Sequence, residues 1–491
     1  MLSLCSIILE NKERMKITSI IALIAFSINL GFSQSKIDIT FKNYDKDFVV
    51  IGYYYGDRQL VLDTVMRNDQ DHFLYENEEN LNSGVYLLLM SPNNRYIQFL
   101  VNDQEQNFSI ALDTLDLGKP IIEGSADNQL FLDYVTFLNK KGTQNEALIS
   151  EMNAKKEKGE STESIDLKRK AIDAEVKAYQ KNIIDNHPNT ITSTLISSTK
   201  DVEIPEFQGS AEEVKLKQYQ YYRNHYFENI DLGNPVYLRT PFVHNKVDSY
   251  INKLTSQAPD SLIQAIDFIL EKMEPAQETY KFYLSYFLNT YAGAKVVGQD
   301  AIYVHLVDNY YAKGKADWVD EENLTKIVTE ANKIRPTLIG KMAQDITVFR
   351  RDSTPITLSE IESKYLILYF WAPDCGHCKK ATPHMIDFYK KYKDSADVEI
   401  LAVCTKHRDK EPACWESVDE KGMDLWINAS DTYHLSNFRA KYNVEQTPSI
   451  FILNEKREII MKRIGAEYLD EVMSEIIRID DAEAAANAQM K

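Results

Sequence analysis

Two cysteines separated by two residues are the part of this sequence best suited to chemistry. Cys375 and Cys378 lie in FWAPDCGHCKK at residues 370–380, after a strand-like run at residues 365–370 and before a helical run from Lys379. The N-terminus of a helix offers unpaired N–H groups and a partial positive charge, which favour a thiolate. A CxxC pair at this junction predicts a dithiol/disulfide redox centre. Cys375 is then the attacking thiolate, and Cys378 resolves the mixed disulfide.

The neighbouring residues can tune such a pair. A protonated His377 would stabilise the Cys375 thiolate, favour the reduced form and raise the reduction potential. Asp374 carries the opposite charge and would partly cancel that effect. We favour helix capping as the role of Asp374. Further along, Thr447-Pro448 enters a hydrophobic strand, and proline usually lies at the start or edge of a strand.

Together, the FWAPDCGHC stretch and the later Thr447-Pro448 strand resemble the thioredoxin family, in particular the TlpA-like thiol-disulfide oxidoreductases of bacterial envelopes. The Gly-His dipeptide between the cysteines is similar to that of protein disulfide isomerase. The resemblance covers roughly the last quarter of the chain. It implies a cis Thr447-Pro448 bond facing Cys375 and no cofactor beyond the dithiol. The residues expected to tune the centre or to contact substrate are Trp371, Pro373, Asp374, Gly376, His377, Thr447 and Pro448.

Three positions depart from the family pattern. Thioredoxin and protein disulfide isomerase carry a buried acid in the strand before the motif, where this chain has Tyr369. Asp374 occupies the position that is commonly tryptophan. Ala381 stands where TlpA-like proteins of cytochrome c maturation often have an acid. The proton relay of the family therefore lacks its usual residues here.

Two other kinds of site were weighed against the redox centre. Zinc could in principle bind the two cysteines together with His377, His384 and His407, but a second ligand pair at regular spacing is missing, so no metal is expected. A peroxidase of the peroxiredoxin type needs a hydroxyl three residues before its cysteine, and Ala372 stands there.

Cys404 and Cys414 leave three alternatives open. Cys404 ends a predicted core strand, and Cys414 lies in a loop that leads to a helix. They could form a structural disulfide, remain unpaired, or relay electrons to Cys375.

Length and charge limit the function further. A chain of 491 residues is expected to form about three domains. The net charge of -18 is a poor match for a phosphate backbone, so nucleic acid is not an expected partner.

The first 34 residues are typical of a targeting segment. Lys12, Arg14 and Lys16 form a basic flank, residues 17–30 are an apolar run too short for a comfortable membrane span, and small residues follow. The pattern predicts a signal peptide at residues 1–34, export to the periplasm or cell envelope, and no membrane span after its removal.

The remaining sequence is expected to form three folded regions and a tail. Residues 35–125 alternate apolar and polar residues between turns, which predicts an antiparallel all-β sandwich or barrel. Residues 126–343 have helical spacing and predict an all-α domain. Both regions resemble domains of unknown function found before envelope thioredoxins. Residues 344–480 are expected to adopt the α/β thioredoxin fold, and residues 481–491 to form a polar tail.

We therefore predict a multidomain thiol-disulfide oxidoreductase of the cell envelope. Its expected partners are envelope proteins that contain thiols or disulfides, and an upstream redox partner. A role in cell redox homeostasis and one in cytochrome c maturation are both compatible with the resemblance. The alternative is a partner-binding envelope protein whose thioredoxin domain is an accessory redox module.

Overall fold

The computed structural model describes residues 35–489, so the predicted signal peptide at residues 1–34 lies outside the described residues. A β-rich region is followed by a helical region and an α/β region, and the predicted multidomain fold class is confirmed. The chain divides into two compact units. The first comprises the residues up to Leu254 and Glu271–Tyr280, and the second comprises Thr255–Leu270 and the residues from Lys281 onward. The helical region is thus shared between the units, a division that the sequence did not predict.

The β-rich region, in the first unit, is a sandwich of two four-stranded sheets. Its strands are β1 (Ser35–Lys42), β2 (Phe48–Tyr55), β3 (Arg58–Met66), β4 (Phe73–Asn77), β5 (Gly84–Met90), β6 (Arg95–Val101), β7 (Asn107–Asp113) and β8 (Ile121–Glu123). The sheets have the orders β4-β1-β7-β8 and β3-β2-β5-β6. Neighbouring strands are antiparallel as predicted, except that β1 and β7 pair in parallel.

The two sheets enclose one apolar core. Ile39, Val49, Leu88 and Phe99 are fully buried in it. Strand β3 lies at a sheet edge and exposes most of its side chains, so its sequence lacks the apolar alternation that marks a half-buried strand.

Helices follow the sandwich. They are α1 (Ala126–Glu157), α2 (Glu163–Asn186), α3 (Ile191–Ser198), α4 (Ala211–His225), α5 (Val243–Asn252), α6 (Pro259–Met273), α7 (Gln277–Ala292), α8 (Asp300–Leu306) and α9 (Glu321–Ile334). Helix α1 begins after Ser125, whose side chain accepts the backbone N–H of Asn128, as expected for an N-cap. Helix α3 packs Ile191 and Leu195 against Val85 and Leu87 of the sandwich, within the first unit.

The α/β region of the second unit is built on a seven-stranded sheet of order β10-β9-β13-β12-β11-β14-β15. These strands are β9 (Thr347–Phe349), β10 (Pro355–Thr357), β11 (Tyr365–Trp371), β12 (Val398–Cys404), β13 (Ile427–Ser430), β14 (Ser449–Leu453) and β15 (Ile459–Lys462). The helices are α10 (Gly376–Tyr392), α11 (Pro412–Lys421), α12 (Phe438–Lys441) and α13 (Leu469–Gln489). Strands β11, β12 and β13 are parallel, whereas β14 and β15 run antiparallel to their neighbours.

Strand β11 is buried along its whole length, because helices and loops cover both faces of the sheet. Tyr369 and Trp371 face the core that contains Met385 of α10, whereas Leu368 and Phe370 face the core on the opposite side. This strand therefore carries the CxxC segment on a rigid support.

Helix α13 continues to Gln489, beyond residue 480, where the thioredoxin fold was predicted to end. The predicted polar tail at residues 481–491 is therefore helical as far as Gln489. This stretch lacks apolar periodicity, so the sequence pattern did not predict a helix. Its alanine-rich composition nevertheless gives it a high helix propensity.

Candidate active site

The cysteine pair lies between the end of β11 and the first turn of α10. Trp371 is the last residue of β11, and Gly376 is the first residue of α10. Cys375 is the N-cap of that helix, and its sulfur accepts the backbone N–H of Cys378 at 3.1 Å. The two cysteines form a disulfide with a Cα–Cα distance of 5.2 Å. When the pair is reduced, the same N–H and the helix N-terminus would stabilise a thiolate on Cys375.

The two sulfurs differ in their access to solvent. Cys375 is partly exposed, whereas Cys378 is 1% exposed and packs in the core with Trp371 and Met385. A reagent from solvent can reach Cys375 and not Cys378. This asymmetry matches the predicted order of attack and resolution.

Thr447 and Pro448 border the disulfide from the start of β14. The Thr447-Pro448 peptide bond is cis. The sulfur of Cys375 lies 3.2 Å from the Thr447 carbonyl oxygen. The sequence resemblance implied both features, although 68 residues lie between Cys378 and Thr447 in the chain.

The capping role predicted for Asp374 is wrong. Because α10 begins at Gly376, the capping position belongs to Cys375, and Asp374 lies one residue too early. Its carboxylate instead accepts a hydrogen bond from the Lys406 ammonium at 2.7 Å. That hydrogen bond lowers the pKa of the Asp374 carboxyl. The negative charge beside Cys375 therefore has a positive partner, which sequence reasoning missed.

The position of Lys406 follows from the sheet. Strands β11 and β12 are parallel and in register, with Trp371 opposite Cys404. The carboxyl ends of parallel strands meet at the same edge. Asp374 follows the end of β11 by three residues, and Lys406 follows the end of β12 by two. Opposite charges within three residues of the ends of neighbouring parallel strands were the signal that could have found this pair.

A cleft of about 720 Å³ opens beside the disulfide. His377, His384, Thr447, Pro448 and Glu467 are among its lining residues. His377 is exposed and lies at this cleft. The cleft offers both charges and an apolar proline surface next to the reactive sulfur, so a chain segment from another protein could bind there.

The residues beneath the site are apolar or neutral. Tyr369 is fully buried, and burial raises the pKa of its hydroxyl, so it remains un-ionised at neutral pH. Ala381 and Trp371 are also buried. Trp371 therefore lies below the site and does not present its ring to solvent. The carboxylate that the family has at one of these positions is thus replaced by Tyr369 or Ala381. Neither residue can act as a proton acceptor at neutral pH.

The structure distinguishes among the three alternatives for Cys404 and Cys414. The two residues form a second disulfide, with a Cα–Cα distance of 6.2 Å. They are 2% and 1% exposed. The unpaired alternative is therefore wrong, and burial of both sulfurs argues against exchange with an external thiol.

The histidines of the zinc alternative are dispersed. His384 lies in the cleft, whereas the His407 ring packs on His434 at a centroid distance of 4.2 Å. Within residues 35–489, no group of three or more His, Cys, Asp or Glu side chains is arranged to hold a metal ion. In the same range, no helix is long and apolar enough to cross a membrane.

Comparison with known proteins agrees with this geometry. Residues 363–459 match a family model described as thioredoxin-like, and residues 174–336 match a domain of unknown function, DUF5106. The thiol-disulfide oxidoreductase ResA of Halalkalibacterium halodurans is 28% identical over 141 residues, which are 28% of this chain and 77% of that protein. ResA of Oceanobacillus iheyensis is 44% identical over 121 residues, 24% of this chain and 59% of that protein.

A solved domain of a possible thiol-disulfide isomerase from Cytophaga hutchinsonii is 28% identical. The match covers 30% of this chain and 97% of that domain, with a TM-score of 0.28. The thioredoxin-like match at residues 363–459 includes the cysteine pair, and the DUF5106 match at residues 174–336 lies in the helical region. The chain therefore contains a thioredoxin-like domain preceded by a DUF5106 region, and it is an oxidoreductase homologous to the thiol-disulfide oxidoreductases.

Proposed function

We propose that this protein is a TlpA-like thiol-disulfide oxidoreductase of the cell envelope, which exchanges disulfides with protein substrates through Cys375 and Cys378. One observation carries the proposal. The sulfur of Cys375 is accessible, caps a helix and accepts the Cys378 N–H, while Cys378 is buried directly behind it. An accessible thiolate with a shielded partner is the arrangement that two-step disulfide exchange needs.

The exchange proceeds in two balanced steps. The Cys375 thiolate attacks one sulfur of a substrate disulfide, an S–S bond forms between them, and the other substrate sulfur leaves as a thiolate that takes up a proton. The Cys378 thiol then loses its proton and attacks the Cys375 sulfur, which releases the second substrate thiol. The substrate gains two electrons and two protons, and the Cys375–Cys378 dithiol loses them. The reverse sequence oxidises a substrate dithiol.

We expect the substrate to bind in the cleft beside the disulfide. Its wall includes Thr447 and Pro448, which are partly exposed, and the Thr447 carbonyl oxygen lies 3.2 Å from the Cys375 sulfur. A peptide segment bound there would present its sulfur to Cys375 and not to Cys378. We infer a protein substrate, because the partly exposed Cys375 sulfur lies beside a cleft of about 720 Å³ that can hold a segment of another chain.

The role assignment is tested by labelling and substitution. At pH 7 the reduced protein should be alkylated first on Cys375, as peptide mass mapping would establish. Cys375→Ser should abolish reduction of insulin disulfides, whereas Cys378→Ser should accumulate mixed disulfides with substrates. Labelling of Cys378 before Cys375 would overturn the assignment.

The direction of electron flow depends on the reduction potential against the partner's. A strongly negative potential would make the protein a reductase, of which apocytochrome c is one candidate substrate class. A potential of about -120 to -180 mV would make it an oxidase or isomerase. Equilibration of the mature chain with glutathione buffers measures this value. The proteins trapped by Cys378→Ser would then identify the substrate class.

The alternative proposal is a protein that mainly binds a partner. A cleft of about 900 Å³ in the first unit supports it, lined by polar residues that include Asn102, Glu105, His187 and Arg239. Partners captured by the chain with Cys375→Ser and Cys378→Ser together would have to bind without exchange. If these equal the partners captured by Cys378→Ser alone, binding and not exchange is the main function.

A further inference from the structure

The second disulfide closes a short loop at the edge of the redox centre. Cys404 is the last residue of β12, and Cys414 lies in the first turn of α11. Residues 405–413 run between them and are therefore fixed at both ends. Both sulfurs are buried, so this disulfide is shielded from the thiols that exchange with Cys375.

The closed loop carries the residue that meets Asp374. Lys406 donates its hydrogen bond to the Asp374 carboxylate at 2.7 Å. The preceding residue, Thr405, is buried and donates both its backbone N–H and its hydroxyl to the Trp371 carbonyl oxygen, at 2.8 and 3.1 Å. The loop is thus attached to the segment that leads into the CxxC pair.

The other end of the loop is also held. The Glu411 carboxylate accepts hydrogen bonds from the hydroxyls of Ser430, at 2.5 Å, and Thr432. The disulfide and these hydrogen bonds restrict the loop, on which the Lys406 side chain is only 25% exposed.

We propose that the Cys404–Cys414 disulfide is a positioning element of the redox centre, which holds Lys406 against Asp374 and thereby keeps Cys375 reactive. The proposal rests on the exchange function assigned to Cys375 above. Lys406 is the positioning residue, and the second disulfide acts through it. The disulfide does not itself exchange electrons with substrate.

The charges around Cys375 give the physical reason. Asp374 and Lys379 lie on its own segment, Lys406 and Lys410 lie on the closed loop, and Glu445 lies on the loop before β14. Asp374 is the negative group adjacent to Cys375 in the chain. With Lys406 in place its charge is compensated. Without Lys406 it disfavours the Cys375 thiolate.

The disulfide matters because the ion pair alone is weak. Asp374 is 70% exposed in its side chain, and exposed ion pairs contribute little to stability. That is too little to order a loop of nine residues, each of which loses backbone freedom when fixed. A covalent closure removes much of that freedom before the ion pair forms.

The test compares three variants of the mature chain. They are Lys406→Met, the double variant Cys404→Ala/Cys414→Ala, and the combination of all three substitutions. The readout is the rate at which iodoacetamide alkylates Cys375 at pH 7 and low salt, after mild reduction, with mass mapping to verify that Cys404–Cys414 stays bonded in the unsubstituted protein. Loss of one compensating charge near the thiolate should slow alkylation about threefold in each variant.

Two comparisons separate this proposal from a general structural effect. The triple variant should be no slower than Lys406→Met, because the disulfide acts through Lys406. Lys364→Met, which removes one exposed positive charge at the opposite end of β11, is the matched control and should react at the unsubstituted rate.

The outcomes are distinct. An unchanged rate in Lys406→Met overturns the proposal even if the double alanine variant fails to fold. A triple variant that is slower than Lys406→Met by a further factor of about three also overturns it, because the disulfide would then act by another route. If Cys375 of the unsubstituted protein does not react with thiols or disulfides at all, the exchange function itself has failed.

Discussion

Replacement of Lys462 by methionine should strongly destabilise the second unit. Lys462 lies at the end of β15, and its ammonium donates to the Asp300 carboxylate at 2.5 Å. Asp300 opens α8 in the same unit. The two side chains are 2% and 14% exposed. Burial lowers the pKa of Lys462, and the charge and hydrogen bond of Asp300 oppose that shift.

The magnitude follows from what remains after the substitution. Methionine keeps the length of the lysine stem, so the packing change is small. The Asp300 carboxylate, however, loses its cation, and its other oxygen already lacks a hydrogen-bond partner within residues 35–489. Breaking a buried pair on one side costs about 3–5 kcal/mol. Because Asp300 retains some access to water, we expect the lower end, about 3 kcal/mol.

A matched set of variants isolates the cause. Lys462→Met with Asp300→Leu removes both charges and should lie within about 1 kcal/mol of the unsubstituted protein. Lys326→Met removes one partner of an exposed pair in α9, whose side chains are 65% and 80% exposed, and should cost less than about 0.5 kcal/mol.

Urea unfolding followed by tryptophan fluorescence measures these differences. All four tryptophans, Trp318, Trp371, Trp415 and Trp426, belong to the second unit, so the signal reports that unit selectively. The reasoning is refuted if Lys462→Met costs less than about 1 kcal/mol, or if the double variant costs as much as the single one.

Three further predictions concern the start of the mature chain and the reactivity of the pair. The mature protein should begin near residues 34–35, and N-terminal sequencing of envelope-fraction protein checks this; an intact Met1 or Met15 would contradict it. His377→Pro lies in the first turn of α10, where proline is tolerated, and should make the potential more negative by about 30 mV for each tenfold loss of thiolate stabilisation, as glutathione equilibration would measure. Raising the ionic strength from about 0.01 to about 1 M shortens the Debye length from about 30 to about 3 Å and screens the uncompensated Asp374 of Lys406→Met, so the slow alkylation of Cys375 in that variant should return toward the unsubstituted rate; a difference between the two rates that persists at about 1 M would show that it does not arise from the Asp374 charge.

The local sequence was sufficient to predict those parts of the site whose residues lie close together in the chain. The order of strand, cysteine pair and helix depends on a few consecutive residues, and the structure has the same order from Tyr365 to Tyr392. The fold of the α/β region was also predictable, because the order of its central strands agrees with the family that the motif resembles. The chemistry expected of Cys375 followed from its place at a helix terminus.

The charge environment of the site was not predictable in the same way. Lys406 reaches Asp374 only because β11 and β12 are paired in one particular register. The sequence of a strand alone does not specify the register in which it pairs. The pairing of Cys404 with Cys414 depends on how α11 packs beside the end of β12. Asp374 was misassigned for a smaller reason, since a shift of one residue in the start of a helix changes which residue caps it.

The departures from the family pattern have a common consequence. In place of a buried acid the chain has Tyr369, whose hydroxyl stays neutral, and Ala381 carries no acid either. Charges that influence the cysteine pair therefore lie at its rim, on Asp374 and Lys406. A charge at the rim acts through solvent and depends on where a loop is held, whereas a charge beneath the site is fixed by the core. The loops that border this redox centre therefore control the reactivity of Cys375. The buried Cys404–Cys414 disulfide contributes to that control by fixing the loop that carries Lys406, although it does not contact the substrate.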